Sequence, residues 1–168
     1  MKSSSENDYL RTVQSFVMTI TPGKINRFML FKLPLAFFGG VRVQSLSKEE
    51  ATVIIRHRWI NQNPFRSLFW AAQGMAAEMS TGVLVIQSIQ NSGKNVSMLV
   101  THQEGSFFKK ATGKIRFHCA EGEAVDAAIE KSISSGEGQK IIMTSVGNNQ
   151  DGVEVCRFKF EWSLKVKA

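Results

Sequence analysis

A chain of 168 residues, 43% of them hydrophobic, can build one domain with its own core. Its formal net charge of +7, from 21 Lys and Arg against 14 Asp and Glu, favours phosphate-bearing cofactors, nucleic acid or a membrane surface without choosing among them. A single Tyr and the lack of a basic run argue against a nucleic-acid platform. The most apolar stretch, 28–41, is interrupted by Lys32 and Pro34 and is too short for a membrane span.

In chain order, Leu10, Val13, Phe16, Val17 and Ile20 recur at helical spacing, predicting a helix over 6–20 that Thr21-Pro22-Gly23 stops. Lys24 to Phe31 is a second short helix. The apolar segment Leu33 to Gly40 is a lid over a groove or a cover for the core. Alternation predicts strands over 41–46 and 51–60, joined as a hairpin by the turn 47–50. A long helix follows over 63–82, and residues 83–89 extend it or begin a crossover. Strands are then expected over 95–103 and 105–119, the second kinked near Ala111–Gly113. A short helix occupies 121–135, a strand 139–146, a turn 147–152, and a last strand 153–166 whose alternation slips once at Cys156–Arg157.

The 63–82 segment organises the rest. Asn63 is read as its cap, Pro64 as its first residue and Gly82 as its end. At about 100° per residue, Leu68, Ala72, Met75 and Met79 form a face to bury. Ser67, Ala71, Gly74 and Glu78 form a narrow line of small residues ending in a carboxylate, and Gln73 and Ser80 form a polar flank. An antiparallel sheet needs something to cover its apolar face, and this helix is the one element long enough.

Element order and central helix resemble the hotdog fold, an α+β architecture in which a curved antiparallel sheet of about six strands wraps one long helix. On this resemblance residues 41–168 are the hotdog domain and 1–40 an N-terminal helical extension. The chain looks closest to a bacterial thioesterase-like group classed as a domain of unknown function, related to the phenylacetyl-CoA type thioesterases. Those relatives carry an Asn, then, six residues on, a His-Gly-Gly at the helix start, and an acidic residue further along. Asn63 and Glu78 match the first and last; Phe69, Trp70 and Ala71 stand where His-Gly-Gly would be. In the relatives a backbone N–H at this point polarises the thioester carbonyl. An amide needs no particular side chain, so Ala71 can still donate. The resemblance implies a homodimer, or a dimer of dimers, with the site at the subunit interface. It also implies that Lys109, Lys110, Lys114 and Arg116, which are read on one strand and its bulge, meet the nucleotide phosphates of an acyl-CoA. The alternative for these cations is a solvated edge guarded by lysines.

Two functions follow. As an acyl-CoA thioesterase, the chain would use Glu78 as general base or nucleophile, with Asn63 and Gln73 orienting water or substrate. Ser67 lies eleven residues before Glu78, about 16 Å along a helix, too far to share a proton with it. As a non-catalytic fatty-acyl or acyl-CoA binder, it would close an apolar pocket with Phe65, Leu68, Phe69 and Trp70, shaped by Met75 and Met79. No metal or cofactor is expected, since His57, His102 and His118 are isolated. Cys119 and Cys156 are read as buried thiols, their pairing left open on number alone. With no secretory pattern at Met1–Asp8, the expected compartment is the cytoplasm.

Overall fold

The computed structural model describes residues 20–167. The helix expected over 6–20 lies, apart from Ile20, outside them. Thr21-Pro22-Gly23 starts a helix, α1 (Pro22–Lys32): Thr21 is extended, and its hydroxyl accepts the Lys24 N–H at 3.4 Å, with proline in the first turn. Pro34 forbids helical geometry at Leu33, so a separate short helix, α2 (Pro34–Phe38), follows. The first helix buries Met29 completely. Its Asn26 carboxamide both donates to and accepts from the backbone of Val43, each at 2.9 Å, as a neighbouring strand would.

Strands β1 (Arg42–Leu46) and β2 (Ala51–Arg56) form the expected hairpin, with Val43 opposite Val53. The second strand is shorter than its β-branched run suggests. After Arg56 the chain turns into a 3-10 segment, Trp59–Asn61, pinned by one buried side chain. Asn61 Nδ2 donates to the carbonyls of Gly39 (2.9 Å) and Arg56 (2.8 Å), and its Oδ1 accepts the Arg58 N–H at 2.8 Å.

The long helix, α3 (Trp70–Ser92), begins six residues later than the Asn-Pro pair suggests and runs ten beyond Gly82. Asn63 caps a tight loop instead: its Oδ1 accepts the N–H groups of Phe65 (2.9 Å) and Ser67 (3.2 Å). The true stop is Gly93, left-handed at φ 63. Gly82 lies mid-helix against the Trp162 ring, and the Trp162 indole N–H donates to Thr81 Oγ1 at 3.0 Å. A second buried polar pin joins Ser80 and Ser145 at 2.8 Å.

The remaining elements are β3 (Val96–Phe107), β4 (Lys114–Cys119), α4 (Gly122–Ser135), β5 (Gln139–Asn148) and β6 (Glu154–Val166). All pairings are antiparallel, in the order β1-β2-β4-β5-β6-β3. Every strand contacts α3. Six strands span about 24 Å and a helix only about 10 Å, so the sheet must curve around it. The slip at Cys156–Arg157 is a bulge: Gly147 faces Cys156 while Asn148 faces Glu154, which buries both Val155 and Cys156.

One connection departs from the sequence expectation. The third strand runs straight through Gly105, and residues 108–113 then carry the chain from the sheet edge to its middle, so the expected 105–119 strand is two strands and a strap. The strap is bonded at both ends. Phe108 and Lys109 N–H donate to the Val155 carbonyl (2.8 and 3.2 Å), Leu68 N–H to Ala111 O (2.9 Å), and His57 N–H to Gly113 O (2.7 Å). It therefore passes in front of the start of α3.

Candidate active site at the start of the long helix

The segment leading into α3 is fixed by its backbone. Phe69 N–H donates to Asn61 O at 2.8 Å, and Gln73 N–H donates to Phe69 O at 3.1 Å. No side chain among the described residues caps the helix. The first-turn amides of Trp70, Ala71 and Ala72 consequently have no acceptor among the described residues. They sit at the positive end of a 23-residue helix.

Around this end lies an open cleft of about 420 Å³. Its apolar lining comes from Phe65, Leu68, Trp70, Phe107, Phe108 and Ala111, and its polar lining from Asn63, Ser67, Gln73, Lys109 and Lys110. Gln73 is 5% exposed. Its Nε2 donates to Leu68 O at 3.0 Å, which fixes the amide, and its Oε1 is buried with no donor among the described residues. Aromatic walls, two ammonium groups and the positive end of an uncapped helix suit a ligand with an apolar body, a polarisable carbonyl and anionic groups.

The structure brings together Asn63, Ser67, Trp70, Gln73, Lys109 and Lys110. Asn63 and Ser67 are largely occupied with each other, Asn63 Nδ2 donating to Ser67 Oγ at 3.0 Å. Lys110 Nζ donates to Phe65 O at 3.4 Å. Phe69 precedes the helix, packed on Trp70 with ring centroids 5.6 Å apart. Lys114 and Arg116 do not join them. They lie on β4, opposite Arg56 and Ile54, because the strap separates them from the other two lysines.

Ala71 and Gly74 are half-buried and Glu78 is exposed, and Ser67 lies in the preceding loop rather than on the helix with them. The Glu78 carboxylate has no hydrogen bond or ion pair among the described residues. Solvent reaches the side chain, yet the protein packed about it withdraws enough water to hold its carboxyl above the usual value. Eight residues, about 12 Å of helix axis, separate it from Trp70.

Phe107 and Phe108 are the cleft residues the sequence reading passes over. Their signal was adjacency: successive strand side chains face opposite sides, so two neighbouring aromatics cannot both enter one core. Both cysteines are free and buried, and burial pushes each thiol up to about 12, which removes them as nucleophiles. Among the described residues no three His, Cys, Asp or Glu side chains group as metal ligands, and no helix is long and apolar enough to cross a membrane.

The family described as a domain of unknown function, DUF4442, matches residues 21–164, a span that takes in α1 and α2. A search of curated proteins finds no match. Among solved structures, a Chlorobaculum tepidum protein of unknown function, OLEI01261, superposes with a TM-score of 0.74 at 17% identity over 88% of this chain and 98% of its own. The Pseudomonas aeruginosa protein PA5026, described as a probable thioesterase, gives 0.72 at 16% identity over 87% and 97%. The Haemophilus influenzae thioesterase HI1161 gives 0.65 at 13% identity over 89% and 93%. At such identities the likeness is one of fold, and the fold is the hotdog fold.

Proposed function

The chain belongs to the DUF4442 family, and from that membership and the cleft we propose that it is an acyl-CoA thioesterase whose site is completed between two copies of the chain. The observation that carries this reading is the uncapped start of α3, whose amides at Trp70, Ala71 and Ala72 have no acceptor among the described residues, beside an aromatic cleft that Trp70, Gln73, Lys109 and Lys110 line. A thioester carbonyl placed there gains donors that strengthen as negative charge develops on its oxygen. The acyl group lies against Phe65, Trp70, Phe107 and Phe108, and Lys109 and Lys110 meet the nucleotide phosphates. Gln73 Oε1 accepts a hydrogen bond from water or ligand.

Glu78 supplies the base. It takes a proton from water as the water oxygen attacks the carbonyl carbon. The tetrahedral oxyanion is held by the helix amides, and its collapse breaks the carbon–sulfur bond. The CoA thiolate leaves and is protonated to the thiol. Glu78 lies too far along its own helix to serve the carbonyl at that helix's start, so the carboxylate comes from a second copy. The outer edge of β3, unpaired among the described residues, gives that copy a place to join. The reading sets a homodimer, alone or paired into a tetramer, in the cytoplasm.

The test is CoA release from a panel of alkyl and aryl acyl-CoAs. Glu78→Ala is expected to lower kcat/KM at least about a hundredfold with unchanged elution volume. Equal hydrolysis by the variant refutes the role of Glu78. A second reading, a non-catalytic fatty-acyl or acyl-CoA binder, draws on Asn63, whose carboxamide is spent on its own loop and is not free to orient water. It predicts a retained acyl ligand in native mass spectrometry and no thiol release from any substrate.

A further inference from the structure

Away from the cleft, α2 and the 3-10 turn leave bulky apolar side chains in solvent: Leu35 is 76% exposed, Phe38 62%, Trp59 84% and Ile60 57%. Leu35 and Phe38 share one face of α2. Asn61 joins that helix to the turn by donating to Gly39 O at its end. The Arg42 guanidinium stacks 3.7 Å over the Phe37 ring and lies close enough to Arg58 to feel its charge. These elements therefore make one continuous surface.

The segments that build and flank this surface are rich in cations. Arg27, Lys32, Arg42, Arg56, Arg58 and Arg66 have no carboxylate partner among the described residues. The sequence holds no Asp or Glu over 9–48 or 51–77. Glu49 and Glu50 lie in the turn at the opposite end of the hairpin from Arg42 and Arg56. Exposed Trp, Phe, Leu and Ile side chains flanked by arginine and lysine that have no carboxylate partner among the described residues suit a water–lipid interface, where the rings enter the acyl boundary and the cations meet phosphate and carboxylate headgroups.

We propose that α2 and the Trp59–Asn61 turn form a peripheral docking face for an anionic lipid bilayer. Charge favours this occupant over two others. A second copy seated face to face would set these cations against themselves. Residues 1–19 carry Lys2 and Arg11 against Glu6 and Asp8, and so bring no net side-chain charge to offset them. The face adjoins the start of α3 through the Phe69–Asn61 bond, so a docked protein opens its cleft beside the membrane. The proposal stands whether or not the cleft hydrolyses thioesters.

The experiment is co-sedimentation of the full chain with phosphatidylcholine vesicles, with and without about one-third phosphatidylserine, at low and high salt. Binding is expected to the anionic vesicles alone and to weaken with salt. Leu35→Ser with Phe38→Ser, Trp59→Ser with Ile60→Ser, and Lys32→Glu with Arg56→Glu are each expected to lower partitioning at least about tenfold, with thermal midpoints unchanged because all six side chains are exposed. Wild-type failure to bind anionic vesicles, equal binding to neutral ones, or unaltered binding by all three double variants overturns the proposal. A shift in sedimentation mass for Leu35→Ser with Phe38→Ser, without vesicle binding by the wild type, assigns the face to contact between copies instead.

Discussion

Phe158 is fully buried between two glycines, and they predict opposite outcomes for one substitution. A Cβ at Gly105 on β3 would lie 2.8 Å from Phe158 Cε1 and 3.1 Å from Cδ1, while a Cβ at Gly74 on α3 would lie 3.7 Å from the same Cε1. The first distance is an overlap and the second an ordinary contact. The ring cannot retreat cheaply, because it stacks on Phe160 at 11° between planes and meets the Phe107 ring edge-on at 5.5 Å. Gly105→Ala should therefore cost about 1–3 kcal/mol, the usual penalty for overfilling a packed core. Gly74→Ala should add about 0.5–1 kcal/mol, since a mid-helix glycine loses more backbone entropy than alanine. Urea unfolding at constant m-value resolves both, as opposite shifts in midpoint. If Gly105→Ala matches the wild type, or Gly74→Ala is the less stable of the pair, the packing argument is wrong. The helix variant also separates folding from function. If a ligand or second copy passes along the Ala71–Gly74–Glu78 line, turnover falls while stability rises.

Three further outcomes are expected. Glu78 has a folded-state carboxyl raised by lost hydration, so ionising it disfavours the native state. That penalty is full above the raised value and vanishes below the ordinary carboxylate range, so Glu78→Gln should be more stable than wild type at neutral pH and equal to it in acid, by urea midpoints at both. Asn61→Ala strips the bonds that join α2, the end of β2 and the 3-10 turn; it should cost about 2–3 kcal/mol in the same assay. Ellman's reagent should label neither Cys119 nor Cys156 in the native protein at mildly alkaline pH and both after denaturation.

Periodicity located most elements because burial imposes it. The alternation from Val155 to Leu164, including its slip, mirrors which side chains are buried on β6. Local cap signals were less reliable, because the same residues serve turns. Asn63-Pro64 has the chemistry of a helix start, but its carboxamide closes a loop, and Thr21-Pro22, read as a stop, is a start. Gly82 resembled a terminus; its lack of a side chain instead admits the Trp162 ring, a contact with a residue 80 positions away. The cleft was half legible. Gln73 followed from helical spacing and Trp70 from the resemblance, whereas Phe107, Phe108 and the separation of Lys109 from Lys114 depend on a crossover that only the strand order reveals.

The carboxamide of Asn26 has a bearing on how copies of this protein can add to one another. By occupying both backbone groups of Val43 it plugs one margin of the sheet, while the other margin, at β3, has no pairing strand among the described residues. A ribbon sealed at one side can be joined only at the other. Two such ribbons meeting edge to edge exhaust their free margins and stop, so strand addition ends in a closed pair and cannot propagate into a fibre.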